Sequence, residues 1–345
     1  MVENMTRLNH LKSFATAVAN ESSRYDFQRP VGKYEVGYHT FLVALAIMII
    51  LHNLVVIILY SKKRSLRNST NMLLASTACA DTLTGVLLIP LVICSAALFN
   101  RGRNLRILYF TSTVITDLVN LAIALNILMV TLERYISLCH PYIHPQVARK
   151  SVIRGLIGSV WLIAFLLAII QLIWSYPSLV GEETGDISDI YKTYSLTLLI
   201  GVFFVPSLIM IFCLVSMFTV LKRFVKEDTL RGLPKNKGAR SQRKAVLVFF
   251  AMFVNIFVCW SPLMCIRLVM DNKEDFRPNE EILELLFALR CCSSLFDPAI
   301  YVWCKKDFKR AFIRSMCHKS ASRKAVATSA PNTQDNGITM KESLL

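Results

Sequence analysis

The sequence predicts an all-α membrane protein, a seven-transmembrane helix bundle with a short amphipathic helix after span seven. Three observations carry this expectation. The chain of 345 residues is 54% hydrophobic and only 18% charged, too apolar for an ordinary water-soluble domain. Seven runs along it reach the roughly 20 apolar residues that, at about 1.5 Å rise each, cross about 30 Å of hydrocarbon. The connectors between the runs are polar and mostly short. A single such run could be a buried helix of a soluble fold, but seven in series form a membrane domain.

Residues 1–36 are a polar N-terminal tail with no apolar segment of signal-peptide type, so the first span is expected to start insertion itself. Two glycosylation sequons, at Asn4 and Asn20, fit an extracellular tail. The seven-transmembrane domain occupies 37–304. Span one (37–60) carries Asn53 at its middle. Span two (71–99) carries Asp81. A third sequon, at Asn68 just before span two, falls on the expected inner side and should be unused.

Span three (107–138) carries Asp117 and ends in Glu133-Arg134-Tyr135, an adjacent acid and base at the rim of a long apolar helix. Span four (152–174) carries Trp161, and span five (194–221) contains Pro206. Span six (245–270) holds Cys259-Trp260-Ser261-Pro262, with Arg267 toward its outer end. Span seven (282–304) holds Arg290 and Asp297-Pro298-Ala299-Ile300-Tyr301. Ionisable groups in hydrocarbon cost several kcal/mol, so these acids and cations are expected to face the bundle interior. The prolines remove backbone hydrogen bonds and permit kinks. Bent helices around buried polar groups suit a bundle that rearranges. An amphipathic membrane-surface helix follows at 305–316, and a Ser- and Thr-rich disordered cytoplasmic tail at 317–345.

Basic residues are retained on the cytoplasmic side. Lys62, Lys63, Arg64 and Arg67 follow span one, nine Lys and Arg lie between Lys222 and Lys244, and Lys305, Lys306, Lys309, Arg310 and Arg314 follow span seven. The connector after span four is acidic, with Glu182, Glu183, Asp186 and Asp189. Only the connector with Arg101, Arg103 and Arg106 votes the other way. The reading is a multi-pass plasma-membrane protein with its N-terminus extracellular. The net charge of +16 is then a topology and anionic-lipid signal. No aromatic-interleaved basic patch argues for nucleic acid. The ten cysteines fall within spans or on the inner side in no metal-ligand pattern, and none can form an extracellular disulfide.

Taken in order, Asn53, the Leu74–Asp81 stretch LASTACAD, Glu133-Arg134-Tyr135, Trp161, Pro206, Cys259-Trp260-Ser261-Pro262, Asp297-Pro298-x-x-Tyr301, and Phe308 with Phe312 in KKDFKRAFIR resemble the class A, rhodopsin-like, G protein-coupled receptors. The resemblance covers essentially the whole membrane portion. It implies a receptor, not an enzyme, that turns binding of an extracellular diffusible ligand into activation of a heterotrimeric G protein. It further implies that Glu133 restrains Arg134 at rest and that Tyr135, Trp260, Pro262, Asp297, Pro298 and Tyr301 belong to the switch. Such receptors also engage receptor kinases and arrestin through their tails. Cys317 is a candidate palmitoylation site, and Ser343-Leu344-Leu345 suits a PDZ protein.

Several positions depart from the family. The usual span-three cysteine, 25 residues before the arginine, is Tyr109, and 175–193 contains no cysteine. That absence and the acid at Asp297 lean toward the melanocortin, adenosine, cannabinoid and lysophospholipid receptors, although Pro206 departs from the melanocortin pattern. Amine receptors place an aspartate 18 residues before the arginine; here that residue is Thr116, and Asp117 follows one place later, rotated by about 100°. Asp117 either reaches the ligand cavity as in a bioamine receptor or faces span two or four as a structural acid.

A retinal-based light sensor is disfavoured because Cys291 occupies the lysine position, and a transporter would need inverted repeats that are not visible. Thr116, Asp117, Asn120, Trp260, Arg267 and Arg290 form the candidate ligand set. The two arginines meet either an anionic ligand group or an internal acid such as Asp117 or Glu284. Asp81, Ser293, Ser294 and Asp297 resemble an internal sodium pocket, with Ile123 where a hydroxyl is often found. Two acids in one dry pocket need a cation or a shared proton. Gln242 and Leu214 replace residues that often restrain or receive the arginine, so basal activity is expected to be high.

Overall fold

The computed structural model describes residues 33–99, 105–173, 188–230, 237–272, 276, 278–304 and 308–313. Residues Asn4, Asn20 and Cys317, most of the connector after span four, and the tail sites lie outside them. Span one is the helix Lys33–Lys62, and span two runs through Ser69–Leu83, Thr84–Leu88 and Ile89–Phe99. Span three is Leu105–Cys139, followed by the one-turn helix His144–Val147, and span four is Lys150–Ile169. Span five comprises Ser188–Leu198, Leu199–Phe204 and Val205–Leu230. Spans six and seven are Lys237–Asn272 and Glu280–Cys304.

The helices close into an all-α bundle. Span one packs on two and seven, five on six, and six on seven, while span three sits inside against two, four, five and six. Among the described residues, six helices are long and apolar enough to cross a bilayer. Span seven has 25 residues, about 37 Å of helix, but carries Glu280, Glu281, Glu284, Arg290 and Asp297. Its two mid-helix charges point inward: Arg290 and Asp297 are buried. The outer surface is apolar instead, with Leu51, Ile58, Leu208, Phe212 and Val215 exposed. A bundle that is oily outside and polar inside is built for lipid as its solvent.

Local chemistry explains the helix ends and breaks. Asn68 caps span two, its Oδ1 accepting from the Asn71 backbone N–H at 2.8 Å. The third sequon thus uses its asparagine as a helix cap. Spans two and five each contain a widened π segment, Thr84–Leu88 and Leu199–Phe204. Each is followed within one turn by a proline, Pro90 or Pro206, whose ring would collide with the carbonyl four residues earlier, at Val86 or Val202. Both carbonyls lie in the widened turn, which makes the room. Pro262 and Pro298 stand inside spans six and seven without such a segment.

Polar ties fix the helix order. Asn53 Nδ2 donates 3.0 Å bonds to the carbonyls of Ile49 and Ser294, joining spans one and seven. Trp161 Nε1 donates to Ser76 Oγ at 3.1 Å, joining four and two. Tyr301 is fully buried with its ring 5.9 Å from that of Phe308, which seats residues 308–313 on the bundle.

Gly85 marks the closest approach of spans one and two. A Cβ there would lie 2.8 Å from both the Ala46 carbonyl oxygen and Ile50 Cγ1. Gly85→Ala is therefore expected to destabilise the purified protein by about 1–3 kcal/mol. Gly155, with nothing within 4 Å of its would-be Cβ, is the control: Gly155→Ala should leave the melting temperature unchanged or raise it.

Candidate functional site

At one end of the bundle the Glu133 carboxylate gathers donors from three elements. Arg134 binds it in a fork, Nε to Oε2 at 2.7 Å and Nη2 to Oε1 at 3.0 Å. Ser69 Oγ donates to Oε1 and Thr70 Oγ1 to Oε2, both at 3.0 Å, from the first turn of span two. His144 Nε2 lies 3.1 Å from Oε1, presented by the one-turn helix. Glu133 is 3% exposed and Arg134 23%. This is more than the interfacial charge pair expected from adjacency: a desolvated carboxylate with all its lone pairs answered resists loss of any donor.

Arg134 faces span six through an aromatic ring. Its Cζ lies 5.8 Å from the Phe249 centroid, while Gln242 is exposed and Leu214 buried. Tyr135 turns toward span five, its ring 6.1 Å from that of Phe212, with its hydroxyl 3.3 Å from Nε2 of His140 just past the end of span three.

At mid-depth, Asp81 and Asp297 are both fully buried. Asp81 neighbours Ser294 and Asp297, and neither of its oxygens has a hydrogen-bond partner among the described residues. Asp297 Oδ1 accepts from Asn255 Nδ2 at 2.9 Å, while its Oδ2 and Asn53 Oδ1 are unpartnered. The Ser294 and Thr84 hydroxyls are 3.4 Å apart. Unanswered oxygens on two acids, with hydroxyls beside them, are a donor set for a hard cation. Ile123 is buried in the apolar core. Among the described residues no group of three or more His, Cys, Asp or Glu side chains could hold a metal ion.

A chain of contacts runs from this centre toward the other half of the bundle. Asn255 Nδ2 also donates to the Ser293 carbonyl at 3.1 Å. Ser293 Oγ accepts from Trp260 Nε1 at 2.9 Å and donates to the Arg290 carbonyl at 2.8 Å. Arg290 Cζ sits 5.0 Å from the Trp260 ring centroid, and its Nη2 donates to Asn120 Oδ1. Thus Asn120, Trp260 and Arg290 come together as one cluster.

The other ligand candidates make no hydrogen bond to that cluster, although the charges of Arg267 and Arg290 both act on Asp117. Asp117 Oδ2 accepts from Gln171 Nε2 at 3.2 Å and Tyr194 Oη at 3.4 Å, so the acid faces spans four and five. Thr116 Oγ1 donates to the Ser112 carbonyl of its own helix at 2.6 Å. Arg267 is exposed. No ion pair joins Arg290 to Asp117 or Glu284 among the described residues, and its charge reaches Asp117 only at longer range. Ser69, Thr70, His144, Gln171, Tyr194 and Asn255 escaped the sequence reading. Only Ser69 and Thr70, polar residues opening a helix, carried a local signal.

The family described as 7 transmembrane receptor (rhodopsin family) matches residues 52–301. Among individual relatives, the chain is 24% identical over 305 residues to the histamine H2 receptor of Cavia porcellus, covering 86% of this chain and 84% of the relative. It is 26% identical to the melatonin receptor type 1A of Mus musculus, covering 78% and 77% of the two chains. It is 23% identical to the 5-hydroxytryptamine receptor 4 of Cavia porcellus, covering 87% and 83%.

Thr70→Val is expected to strip one donor from the buried Glu133 carboxylate and destabilise the protein by about 1–3 kcal/mol. A melting curve of the purified variant checks this. A double-mutant cycle with Glu133→Gln should show that the two losses are not additive.

Proposed function

The chain belongs to the rhodopsin family of seven-transmembrane receptors, and from that premise we propose that it binds an extracellular ligand in the half of the bundle containing Arg290 and activates a heterotrimeric G protein at the end containing Arg134. It is a receptor and not an enzyme. The observation that carries the reading is the continuous path Asn120–Arg290–Trp260–Ser293–Asn255–Asp297, which ends beside the break at Pro298.

A ligand that moves Arg290 or Trp260 shifts the hydrogen bonds that hold spans six and seven together. Pro262 and Pro298 give those spans places to bend. Span six then carries Phe249 away from Arg134. Release of the arginine from Glu133 exposes a fixed cation to the G protein, and the Glu133 donor set defines the resting state that the ligand must overcome. The Lys- and Arg-rich connectors and post-span-seven segment support an inward orientation of the Arg134 end, with the N-terminus extracellular in the plasma membrane.

The same reading assigns an internal sodium ion to Asp81 and Asp297, supported by their unanswered oxygens. It assigns receptor kinase, arrestin and PDZ contacts to the tail, palmitoylation to Cys317 and glycosylation to Asn4 and Asn20, all supported by sequence motifs alone. A second reading, a bioamine receptor, rests on Asp117 and on the relatives named for histamine and 5-hydroxytryptamine. Asp117 is bonded to Gln171 and Tyr194 and makes no ion pair among the described residues, which supports an ammonium as its partner.

Guanine-nucleotide exchange by purified G proteins tests the receptor reading. Arg134→Ala is expected to abolish exchange, and Glu133→Gln to raise ligand-free exchange; an Arg134→Ala receptor as active as the parent would sink it. For the cation, replacing potassium with sodium is expected to raise the melting temperature of the parent chain but not of Asp81→Asn.

A further inference from the structure

Arg290 is a buried cation with much of its hydrogen-bonding capacity unspent. It is 2% exposed, yet its Nε has no partner and Nη1 reaches only the Cys291 sulfur at 4.0 Å. Nη2 meets the neutral Asn120, and the Trp260 face lies 5.0 Å away. Arg290 forms no ion pair among the described residues, where the ion pairs join Glu133 to Arg134 and His144.

A ring face attracts a guanidinium but does not neutralise it, and an amide oxygen supplies one of the acceptors that five N–H groups seek. The acids whose charges act on Arg290 stop short of pairing with it: Asp117 is bonded to Gln171 and Tyr194, and Asp81 lies deeper, beside Ser294 and Asp297. Burying a full charge without a counter-charge is among the most costly arrangements a protein holds, and in a membrane bundle it marks a site.

We infer that Arg290, braced by Asn120 and Trp260, is the recognition point for a compact monoanion, either the carboxylate of a small organic ligand or chloride. The inference rests on the receptor reading and deepens it by giving the ligand site a charge sign. The planar fork presents two parallel N–H groups, the pattern that a carboxylate accepts in two-point fashion. The Trp260 ring occupies one side of the guanidinium, so the anion is taken by the N–H groups that remain without a strong acceptor. Seating that anion also couples directly to Ser293 through the Trp260 Nε1 bond. The sign is opposite to that required by an amine at Asp117, which makes the two readings separable.

The test is thermal unfolding of the purified full-length protein, followed by its helical circular dichroism at constant ionic strength. Phenylacetate and 3-phenylpropionate are compared with phenethylamine and 2-phenylethanol, which keep the ring and change the charge, and chloride is titrated into sulfate buffer. A saturable rise in melting temperature is expected with the carboxylates or with chloride, and the arm that responds identifies the source.

Arg290→Gln is expected to weaken that response by about tenfold or more, the loss of one charge-assisted fork contact. If Arg290→Gln does not fold, Arg290→Lys carries the test, keeping the charge but losing the planar fork, with about tenfold weakening expected. An unchanged anion response in these variants, or no anion response in the parent, overturns the inference. So does stabilisation by phenethylamine that Asp117→Asn removes. Unfolding needs no G protein, so a failure here is distinguishable from a failure of the coupling reading, which nucleotide exchange reports.

Discussion

A bilayer interior offers no water, so each polar side chain carried at mid-depth has to be answered by another helix or by something bound between helices. That constraint organises the molecule. Apolar packing alone does not select helix order, because lipid tails are as apolar as the helix surfaces. The buried ties do: Asn53 to the Ser294 carbonyl, Trp161 to Ser76, Asn255 to Asp297, Trp260 to Ser293. Each joins two different spans, and each is worth more as a specifier of geometry than as a source of stability.

The same constraint separates two kinds of buried charge. Glu133 is over-satisfied, with donors from Ser69, Thr70, Arg134 and His144, and this end of the bundle is held by a carboxylate whose every alternative is worse. Asp81 and Arg290 are under-satisfied. A satisfied charge stabilises one arrangement, whereas an unsatisfied one favours any arrangement or ligand that supplies its partner. Between them lie proline breaks in spans six and seven and widened turns in spans two and five, where backbone hydrogen bonding is already interrupted. Motion between the two ends has its least resistance there.

Much of the bundle was legible because hydropathy is additive and local. The apolar runs appear with no reference to neighbours, and span seven was read as one of them although its charges leave it less apolar than the six other spans. Glu133 and Arg134 could be singled out because adjacency in sequence brings acid and base together. His144 could not: it lies 11 residues from Glu133, across a turn whose direction no periodicity sets. Asn255, Gln171 and Tyr194 each looked like an ordinary polar residue in or beside a span until another helix was placed against it. The pairing of Arg290 was open in the sequence, with Asp117 and Glu284 as the acids within conceivable reach; the packing instead presents Asn120 and the face of Trp260.

By itself, then, the sequence determined that the chain forms a bundle of long apolar helices, roughly where each one lies, and which polar groups must be hidden, since these follow from side-chain solvation and backbone chemistry over a few turns. Only the tertiary structure decided who meets whom. A rotation of about 100° per residue converts a one-place difference on a helix into a different neighbour, so Asp117 turns to Gln171 and Tyr194 while Asn120, three residues on, receives Arg290. Charge can be read from composition, but whether a buried charge is balanced depends on distances between helices, and those exist only once the bundle has closed.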